Sequence, residues 1–341
     1  MISRVRPLGD FPLSRSALDR DEVARTSQDF LSSALDDPST RVVRLRGGRL
    51  PIRADAIVFE EVGSVARPDP EEVVYLGRTL ADEGGVAAGI PVLLLTEGDA
   101  PSDRTSARAA DDGEWMSPRD VAHRLSDRDA GIAAEALAIS NWHRVSRFCA
   151  NCGAATSVRR SGWMRACPQC HAEHFPRTDP AVIVRIVHDD RILLGSSVLW
   201  PEGRYSLLAG FVEAGESLEA AVLREVHEES GMRLGAPTYL GSQPWPFPRS
   251  IMFGFHAELA DGQDPADVRP DEDELADVRW FTRAELTSGT SDVTLPGSTS
   301  IARAIIDDWI ANGTDPGNGA DLSNRTRPSN GAGPSNGAIG S

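Results

Sequence analysis

Three glutamates crowd together in the stretch "REVHEESGM", Arg224 to Met232. In a helix Glu225, Glu228 and Glu229 would be neighbours, and each like-charge pair at that spacing costs about 0.2–0.5 kcal/mol. Local propensity gives no reason for such a cluster. A positive charge should lie against it, and the candidates are Arg224, residues of another element, or a metal ion. The alternative is a solvated acidic face, as on an ordinary acidic helix.

The four cysteines form a second group of residues that could carry chemistry. They fall within 22 residues as two Cys-x-x-Cys pairs separated by fourteen residues: Cys149, Cys152, Cys167 and Cys170. This nearly matches the zinc-ribbon spacing, and four thiolates fill a tetrahedral Zn²⁺ shell, so the ion would be structural. A redox or disulfide pair is the alternative. His171 and His174 lie nearby, but a complete cysteine set makes them unnecessary as ligands.

The residues around the glutamates predict the elements that position them. Gly210 and Gly215 supply a loop, Ser217 is a helix N-cap, and Gly231 is a C-terminal stop. Apolar residues at spacings of three and four predict that this helix packs on a sheet: Leu218, Ala221, Val222 and Val226. The runs "AVIVRIV" and "ILLG" predict a hairpin, followed by strands at "SIMFGFHAEL" and "DVRWF" and a final helix at "SIARAIIDDWI". We therefore predict an α+β fold for this half.

The remaining chain divides by composition. Short β-rich runs from about residue 40 to 95 predict a small N-terminal domain without visible chemistry, after a poorly specified lead-in. Helical spacing predicts a connecting helix at Ala130–Arg147, and "EGDAPSDRTSARAADDGE" reads as a polar loop. The predicted segments are an N-terminal β-rich domain at 1–129, a linking helix at 130–148, a zinc ribbon at 149–175, a catalytic domain at 176–311 and a disordered tail at 312–341.

The net charge of −16 works against long-range attraction to nucleic-acid phosphates or anionic membranes. An anionic substrate must then be bound locally, by metal ions or by a few arginines. No run approaches the roughly 18 apolar residues of a membrane span, and the start lacks the apolar core of a secretory signal. We expect a cytoplasmic protein with no membrane partner.

The pattern Gly-x5-Glu-x7-Arg-Glu-Val-x-Glu-Glu-x-Gly-Met is satisfied at every position from Gly210 to Met232. It resembles the signature of the Nudix hydrolases, which overturns the solvated-face interpretation. The resemblance implies a Nudix α/β/α sandwich and a catalytic Mg²⁺ or Mn²⁺ ion, which carboxylates hold and which activates water. It also implies that Glu216 and Arg224 form the pair that orders the loop. The implied metal ligands are the Ala209 carbonyl and the catalytic glutamates Glu225, Glu228 and Glu229, together with Glu274, and Glu229 is the central one.

Ten residues after Met232 lies "SQPWPFPRS", Ser242 to Ser250. Together with the upstream cysteines, it resembles the NADH diphosphatase (NudC-type) branch of the Nudix family. This implies hydrolysis of NADH or NAD⁺ to nicotinamide mononucleotide and AMP, removal of NAD caps from RNA 5′ ends, structural zinc, and a homodimer. The implied substrate-binding residues are Arg119, Phe175, Phe211, Gln243, Pro244, Trp245, Pro246, Phe247, Pro248, Arg249, Ser250 and Ala302.

The resemblance spans about Met116 to Ile310 and is loose over the first hundred residues. The chain departs from the family pattern at two positions, and two alternative functions stay open. Arg249 replaces a glutamine common in the family and could face a phosphate, and Phe175, expected from the partner subunit, replaces a tyrosine. The alternatives are a broader ADP-ribose-type hydrolase and a non-catalytic NAD-binding regulator. Arginines around the ribbon could contact RNA: Arg147, Arg159, Arg160 and Arg165.

Overall fold

The computed structural model describes residues 8, 11–27, 29–97, 113–288 and 292–312. Nearly all of the predicted polar loop and of the predicted disordered tail lies outside the described residues. Within the described ranges, no helix combines the length and the apolar composition that crossing a bilayer requires.

The N-terminal part, before the ribbon, alternates short strands and helices. Its strands are β1 (Leu18–Asp19), β2 (Arg41–Arg46), β3 (Leu50–Arg53), β4 (Ala56–Ile57), β5 (Glu60–Glu61), β6 (Val73–Thr79), β7 (Pro91–Glu97) and β8 (Glu114–Met116). Its helices are α1 (Glu22–Thr26), α2 (Phe30–Asp36), α3 (Pro118–Val121) and α4 (Asp127–Val145). The lead-in before residue 40 is therefore more ordered than predicted, because β1, α1 and α2 lie in it.

A sheet of order β1-β6-β7-β2-β5 forms the centre of the N-terminal part, and its strands β2 and β7 are parallel. Helix α4 packs its apolar residues, including Ala133 and Trp142, against one face of the sheet, and α2 covers the other face. Helix α4 begins earlier than predicted because Ser126 Oγ accepts a hydrogen bond from the Asp129 N–H at 3.2 Å. Strands β3, β4 and β8 form a separate small sheet.

The cysteine segment forms a small antiparallel sheet of order β11-β10-β9, with β9 (Ser157–Arg159), β10 (Met164–Ala166) and β11 (Glu173–His174). Each cysteine pair sits on a tight turn that a left-handed residue closes. Gly153 (φ 78°) donates its N–H to the Cys149 carbonyl at 2.9 Å, and His171 (φ 59°) does the same to Cys167 at 3.1 Å. The equivalent turns make the two pairs face one another.

The C-terminal part contains the predicted hairpin and the glutamate helix. Its elements are β12 (Asp179–His188), β13 (Arg191–Ser197), β14 (Leu208–Phe211), α5 (Leu218–Ser230), β15 (Thr238–Trp245), β16 (Ser250–Glu258), β17 (Leu275–Thr282), α6 (Arg283–Thr287) and α7 (Ile301–Ala311). The sheet order is β15-β16-β12-β13-β17, and β14 also pairs with β12. The hairpin prediction is confirmed, since β12 and β13 are antiparallel.

Side chains of β12 point alternately to the two faces of the sheet, and this explains why helices cover both faces in the C-terminal part. Val182 and Val184 point to the face that α5 covers, where they pack with Val222 and Val226. Ile183, between them, points to the opposite face, where α7 lies. The sheet is therefore sandwiched between helices, and the predicted α/β/α arrangement within an α+β chain is confirmed.

Candidate active site

Helix α5 carries the glutamate cluster, and local sequence determines its ends. Ser217 Oγ accepts a hydrogen bond from the Ala220 N–H at 3.1 Å, and Gly231 closes the helix at φ 70°. Both cap predictions are confirmed. Because Val222 and Val226 of the apolar stripe are fully buried on the sheet, the helix has a fixed rotation, which places the Glu225 carboxylate against β14 and leaves Glu228 exposed.

Arg224 organises the loop and the cluster. Its guanidinium donates to both carboxylate oxygens of Glu216, at 2.9 and 2.8 Å, and to the Phe211 carbonyl at 3.0 Å. It also lies 2.9 Å from a carboxylate oxygen of each of Glu225 and Glu228. The hydrogen bond from Arg224 lowers the pKa of Glu216. The expected pairing of Glu216 with Arg224 is confirmed, but one guanidinium cannot neutralise three carboxylates.

Gly210 allows the Glu225 carboxylate to lie directly against β14. A Cβ atom at position 210 would lie 1.9 Å from Glu225 Cδ, well inside van der Waals contact. Burial raises the pKa of Glu225, and the nearby Glu228 and Glu274 charges add to the effect against the attraction of Arg224. A side chain at position 210 would therefore displace the Glu225 carboxylate.

Glu229 is the most deeply placed carboxylate of the cluster. It is 8% exposed, and its Oε2 atom has no hydrogen-bond partner among the described residues. Burial raises the pKa of Glu229 to about 8, helped by the Glu225 and Glu274 charges and opposed by a hydrogen bond from the Ala209 backbone. A buried, unpartnered carboxylate oxygen beside other carboxylates fits a divalent cation, which prefers oxygen ligands.

Glu229 and Glu274 line a cleft of about 700 Å³. The expected site residues that line it are Arg119, Ala209, Glu229, Trp245, Glu274 and Ala302. Trp200 and Arg204, which the sequence analysis did not identify, form part of the same wall. Their signal was available, because a tryptophan beside apolar residues in a short turn between strands is unusual. Glu225 and Glu228 are not among the residues that line the cleft; both carboxylates contact Arg224.

The segment "SQPWPFPRS" splits between the cleft and the scaffold. Gln243 is fully buried, and its amide accepts from the Leu13 N–H and donates to the Thr299 carbonyl, each at 3.1 Å. The family resemblance predicted that Gln243 lines the substrate cleft. It does not line this cleft, and both ends of its amide are hydrogen-bonded within the protein. Arg249 does not line the cleft; its Nε donates to Asp179 at 2.8 Å on the protein surface.

The aromatic residues of this segment form a rigid unit with Arg119. The rings of Trp245 and Phe247 meet edge to face at 4.8 Å, and the Arg119 guanidinium lies 5.4 and 5.8 Å from them. Trp245 lines the cleft and Phe247 packs behind it. The prolines and Ser250 do not line this cleft: Pro244, Pro246, Pro248 and Ser250.

The two remaining aromatic candidates lie apart from each other. Phe211, at the end of β14 and two residues after Ala209, is 59% exposed and is not among the residues that line the cleft. Phe175 lines a different cleft, beside Arg160 and Trp163. Within one chain, therefore, Phe175 does not reach the carboxylate cleft.

The ribbon cysteines are arranged as the spacing predicted. One ligand atom from each of the four lies within 4.8 Å of the others, and none of the cysteines is in a disulfide. The Cys170 N–H lies 3.5 Å from Cys167 Sγ and lowers the pKa of Cys167 to about 6. A closed set of four thiolates, one already acidic, fits structural Zn²⁺. His174 Nε2 lies 3.3 Å from Cys149 Sγ, beside the set.

Comparison with protein-family models divides the chain into three matched segments. Residues 26–142 match an NADH pyrophosphatase-like rudimentary NUDIX domain, residues 144–175 an NADH pyrophosphatase zinc ribbon domain, and residues 177–299 a NUDIX domain. The similarity therefore extends further towards the N-terminus than the sequence motifs indicated.

Comparisons with individual proteins agree with the matches to the family models. The chain is 37% identical over 318 residues to the NAD-capped RNA hydrolase NudC of Mycobacterium bovis, covering 88% of this chain and 94% of the relative. It is 38% identical over 233 residues to the protein of the same name from Stutzerimonas stutzeri, covering 68% and 78%. A NUDIX hydrolase structure from Nitrosomonas europaea aligns with a TM-score of 0.41 and 22% identity, over 49% of this chain and 91% of that one.

Proposed function

The chain belongs to the NADH diphosphatase branch of the Nudix hydrolases, and we propose that it hydrolyses the diphosphate bond of NADH and NAD⁺ to nicotinamide mononucleotide and AMP. The observation that carries this proposal is the buried Glu229 carboxylate, unpartnered at one oxygen, at the wall of a cleft that also contains Trp245. A carboxylate centre suits the diphosphate, and an aromatic wall suits a nucleobase.

The residues of the cluster have separable roles. Glu225, Glu228, Glu229 and Glu274, with the Ala209 carbonyl, would hold Mg²⁺ or Mn²⁺. The bound ion supplies a Lewis acid that neutralises the diphosphate and lowers the pKa of a water molecule. Arg224 keeps Glu225 and Glu228 in place, and Glu229 is our candidate for the base that takes the proton of the attacking water.

Residues in the cleft and around it would bind the dinucleotide. Trp245, stiffened by Phe247 and Arg119, offers a preorganised ring. Ala302 lines the cleft in the first turn of α7, where its N–H donates to the Ser300 Oγ cap at 3.2 Å, and its backbone would contact the substrate there. Phe211 would stack on nicotinamide. Phe175 would reach this cleft only from a second copy of the chain, which makes a homodimer part of the proposal.

A second substrate, NAD-capped RNA, fits the same site. The relatives in both mycobacteria and Stutzerimonas bear the name NAD-capped RNA hydrolase. Arg144, Arg147 and Arg165 line another cleft, of about 920 Å³. Asn141 lies at its wall and donates to the carbonyls of Pro246 and Pro248, so this cleft borders the substrate segment. The arginines would hold phosphates of the RNA next to the cap. We propose a cytoplasmic enzyme without a membrane partner.

A product assay with Mg²⁺ tests the proposal. NADH and NAD⁺ should give AMP faster than ADP-ribose does, and Glu229→Gln should abolish turnover, whereas Glu219→Gln, exposed on the same helix, should not. Equal turnover of all three compounds would favour the broader ADP-ribose-type hydrolase. Absence of turnover by the wild type would leave only the non-catalytic NAD-binding alternative, and full activity of Glu229→Gln would mean that Glu229 has no catalytic role.

A salt series tests the RNA substrate. Turnover of NAD-capped RNA should fall steeply between about 50 and 200 mM salt, because added salt reduces the free-energy gain from counterion release at the phosphates, while turnover of NADH should change little. Equal salt dependence of the two substrates would mean that the arginine-lined cleft does not contact the RNA.

A further inference from the structure

We propose that Trp200 and Arg204 form a second base-binding subsite, which holds the adenine half of the dinucleotide. This inference rests on the proposed function and assigns a role to residues that the family signature does not include. Both side chains line the same cleft as Glu229 and the Ala209 backbone, and they belong to the turn that connects β13 to β14.

The position of this pair along the chain separates it from the nicotinamide end. The segment from Arg204 to Phe211 is extended: Arg204 bridges to Thr294, Ser206 bridges to Gly195, and β14 completes it. At about 3.3 Å per residue, Arg204 lies roughly 17 Å before Ala209, and Phe211 roughly 7 Å beyond it. The metal-binding backbone therefore lies between Phe211 and the pair.

This order matches the order of groups in the substrate. A dinucleotide carries one base on each side of its diphosphate. Phe211 lies outside the cleft lining, on the far side of Ala209 from Trp200 and Arg204. With nicotinamide at Phe211 and the diphosphate at the carboxylates, the adenine half would extend to the opposite side of Ala209, into the cleft. The long side chains of Trp200 and Arg204 reach into the cleft on that side.

The chemistry of the pair suits a purine. The Arg204 guanidinium lies 5.0 Å from the centre of the Trp200 ring, which braces the ring, and the tryptophan remains 37% exposed. No carboxylate among the described residues lies within salt-bridge distance of Arg204. An unneutralised guanidinium in a chain of net charge −16 is available to an anionic ligand. The ring offers stacking and Arg204 offers charge to the neighbouring phosphate.

The same subsite would leave room for RNA. In an NAD cap the RNA chain continues from the adenosine. Leu199, next to Trp200, is 88% exposed, and Pro201 and Glu202 are also exposed, so this end of the cleft opens to solvent. A substrate bound with adenine at Trp200 would direct its 3′ continuation outward.

Binding of the two products separately tests the subsite. Calorimetry with the full chain and Mg²⁺ should show that Trp200→Ala weakens AMP binding by about tenfold, the scale of one lost stacking contact, and leaves nicotinamide mononucleotide binding unchanged. Trp200→Phe should retain most of the AMP affinity. Leu199→Ala, in the same turn but outside the cleft lining, is the matched control and should bind both products like the wild type.

Kinetics provide a second measurement. Trp200→Ala should raise KM for NADH by a similar factor with little change in kcat, because the stacking is equal in the ground and transition states. Unchanged AMP affinity in Trp200→Ala, or equal loss of both products, would overturn the inference. If the wild type hydrolysed NADH in that case, only the subsite would be wrong; if it did not, the proposed function itself would fail.

Discussion

Replacing Glu229 by glutamine should stabilise the chain in the absence of Mg²⁺ and Mn²⁺ while it abolishes hydrolysis. Burial raises the pKa of Glu229 from 4.5 to about 8. Because the folded state holds the proton more tightly than the unfolded state, stability is lost as the pH rises from about 4.5 towards 8. Between pH 4.5 and 7 the loss is about 3 kcal/mol, at about 1.36 kcal/mol per pH unit. Glutamine has no charge to bury, so the variant should lack this loss.

Urea unfolding at a series of pH values between 5 and 8 measures the effect, with the protein dialysed free of Mg²⁺ and Mn²⁺ but with its zinc retained. The wild type should lose stability across this range, and Glu229→Gln should lose much less. Glu219→Gln, exposed in the first turn of α5, is the matched control and should follow the wild type. Adding Mg²⁺ should then stabilise the wild type more than Glu229→Gln, because a bound ligand stabilises the state that binds it.

Two results would refute this reasoning. A Glu229→Gln variant that is less stable than the wild type at pH 8 would mean that the carboxylate is well compensated without a cation. Equal stabilisation of both proteins by Mg²⁺ would mean that the cation binds elsewhere. Either result would mean that the raised pKa of Glu229 does not support the proposal that this carboxylate binds the metal.

Three further predictions concern the surroundings of the cluster. Gly210→Ala should abolish NADH hydrolysis, since its Cβ would lie 1.9 Å from Glu225 Cδ, and circular dichroism should still report a folded chain. Arg224→Lys should reduce Mg²⁺ affinity or kcat/KM by about 10- to 100-fold, because an ammonium cannot reproduce the two-pronged contact with Glu216; an unchanged kcat/KM would contradict this role. Cys167→Ser should lower the zinc content, measured by atomic emission, and the melting temperature; full zinc occupancy in the variant would contradict the four-thiolate site.

Short-range features of the site were predictable because they depend on helix and turn geometry. The spacing of Glu225 and Glu229 places them one turn apart in any helix, and Ser217 and Gly231 mark its ends through hydrogen bonds within a few residues. The cysteine pairs on equivalent turns follow from the same kind of local rule. The family signature indicated the reaction type, because it combines these local features in a fixed order along the chain.

The lead-in before residue 40 and the roles within "SQPWPFPRS" could not be predicted in this way. Gln243 and Trp245 lie two residues apart in a strand and have similar surroundings in the sequence. Gln243 is buried because it binds Leu13, 230 residues away, whereas Trp245 lines the cleft. Such contacts depend on which distant elements pack together.

The sequence by itself determined the spacing of the ligand residues, the caps of α5 and the pairing of the cysteines, because neighbours along a chain are constrained by covalent geometry. Only the tertiary structure decided the raised pKa of Glu229, because its burial depends on packing against β14 and because the charge of Glu274, 45 residues further on, adds to the effect. It also brought Trp200 and Arg204 to the cleft and kept Phe175 away from it. Distances across a packed core depend on how all the layers fit together, and local spacing does not encode them.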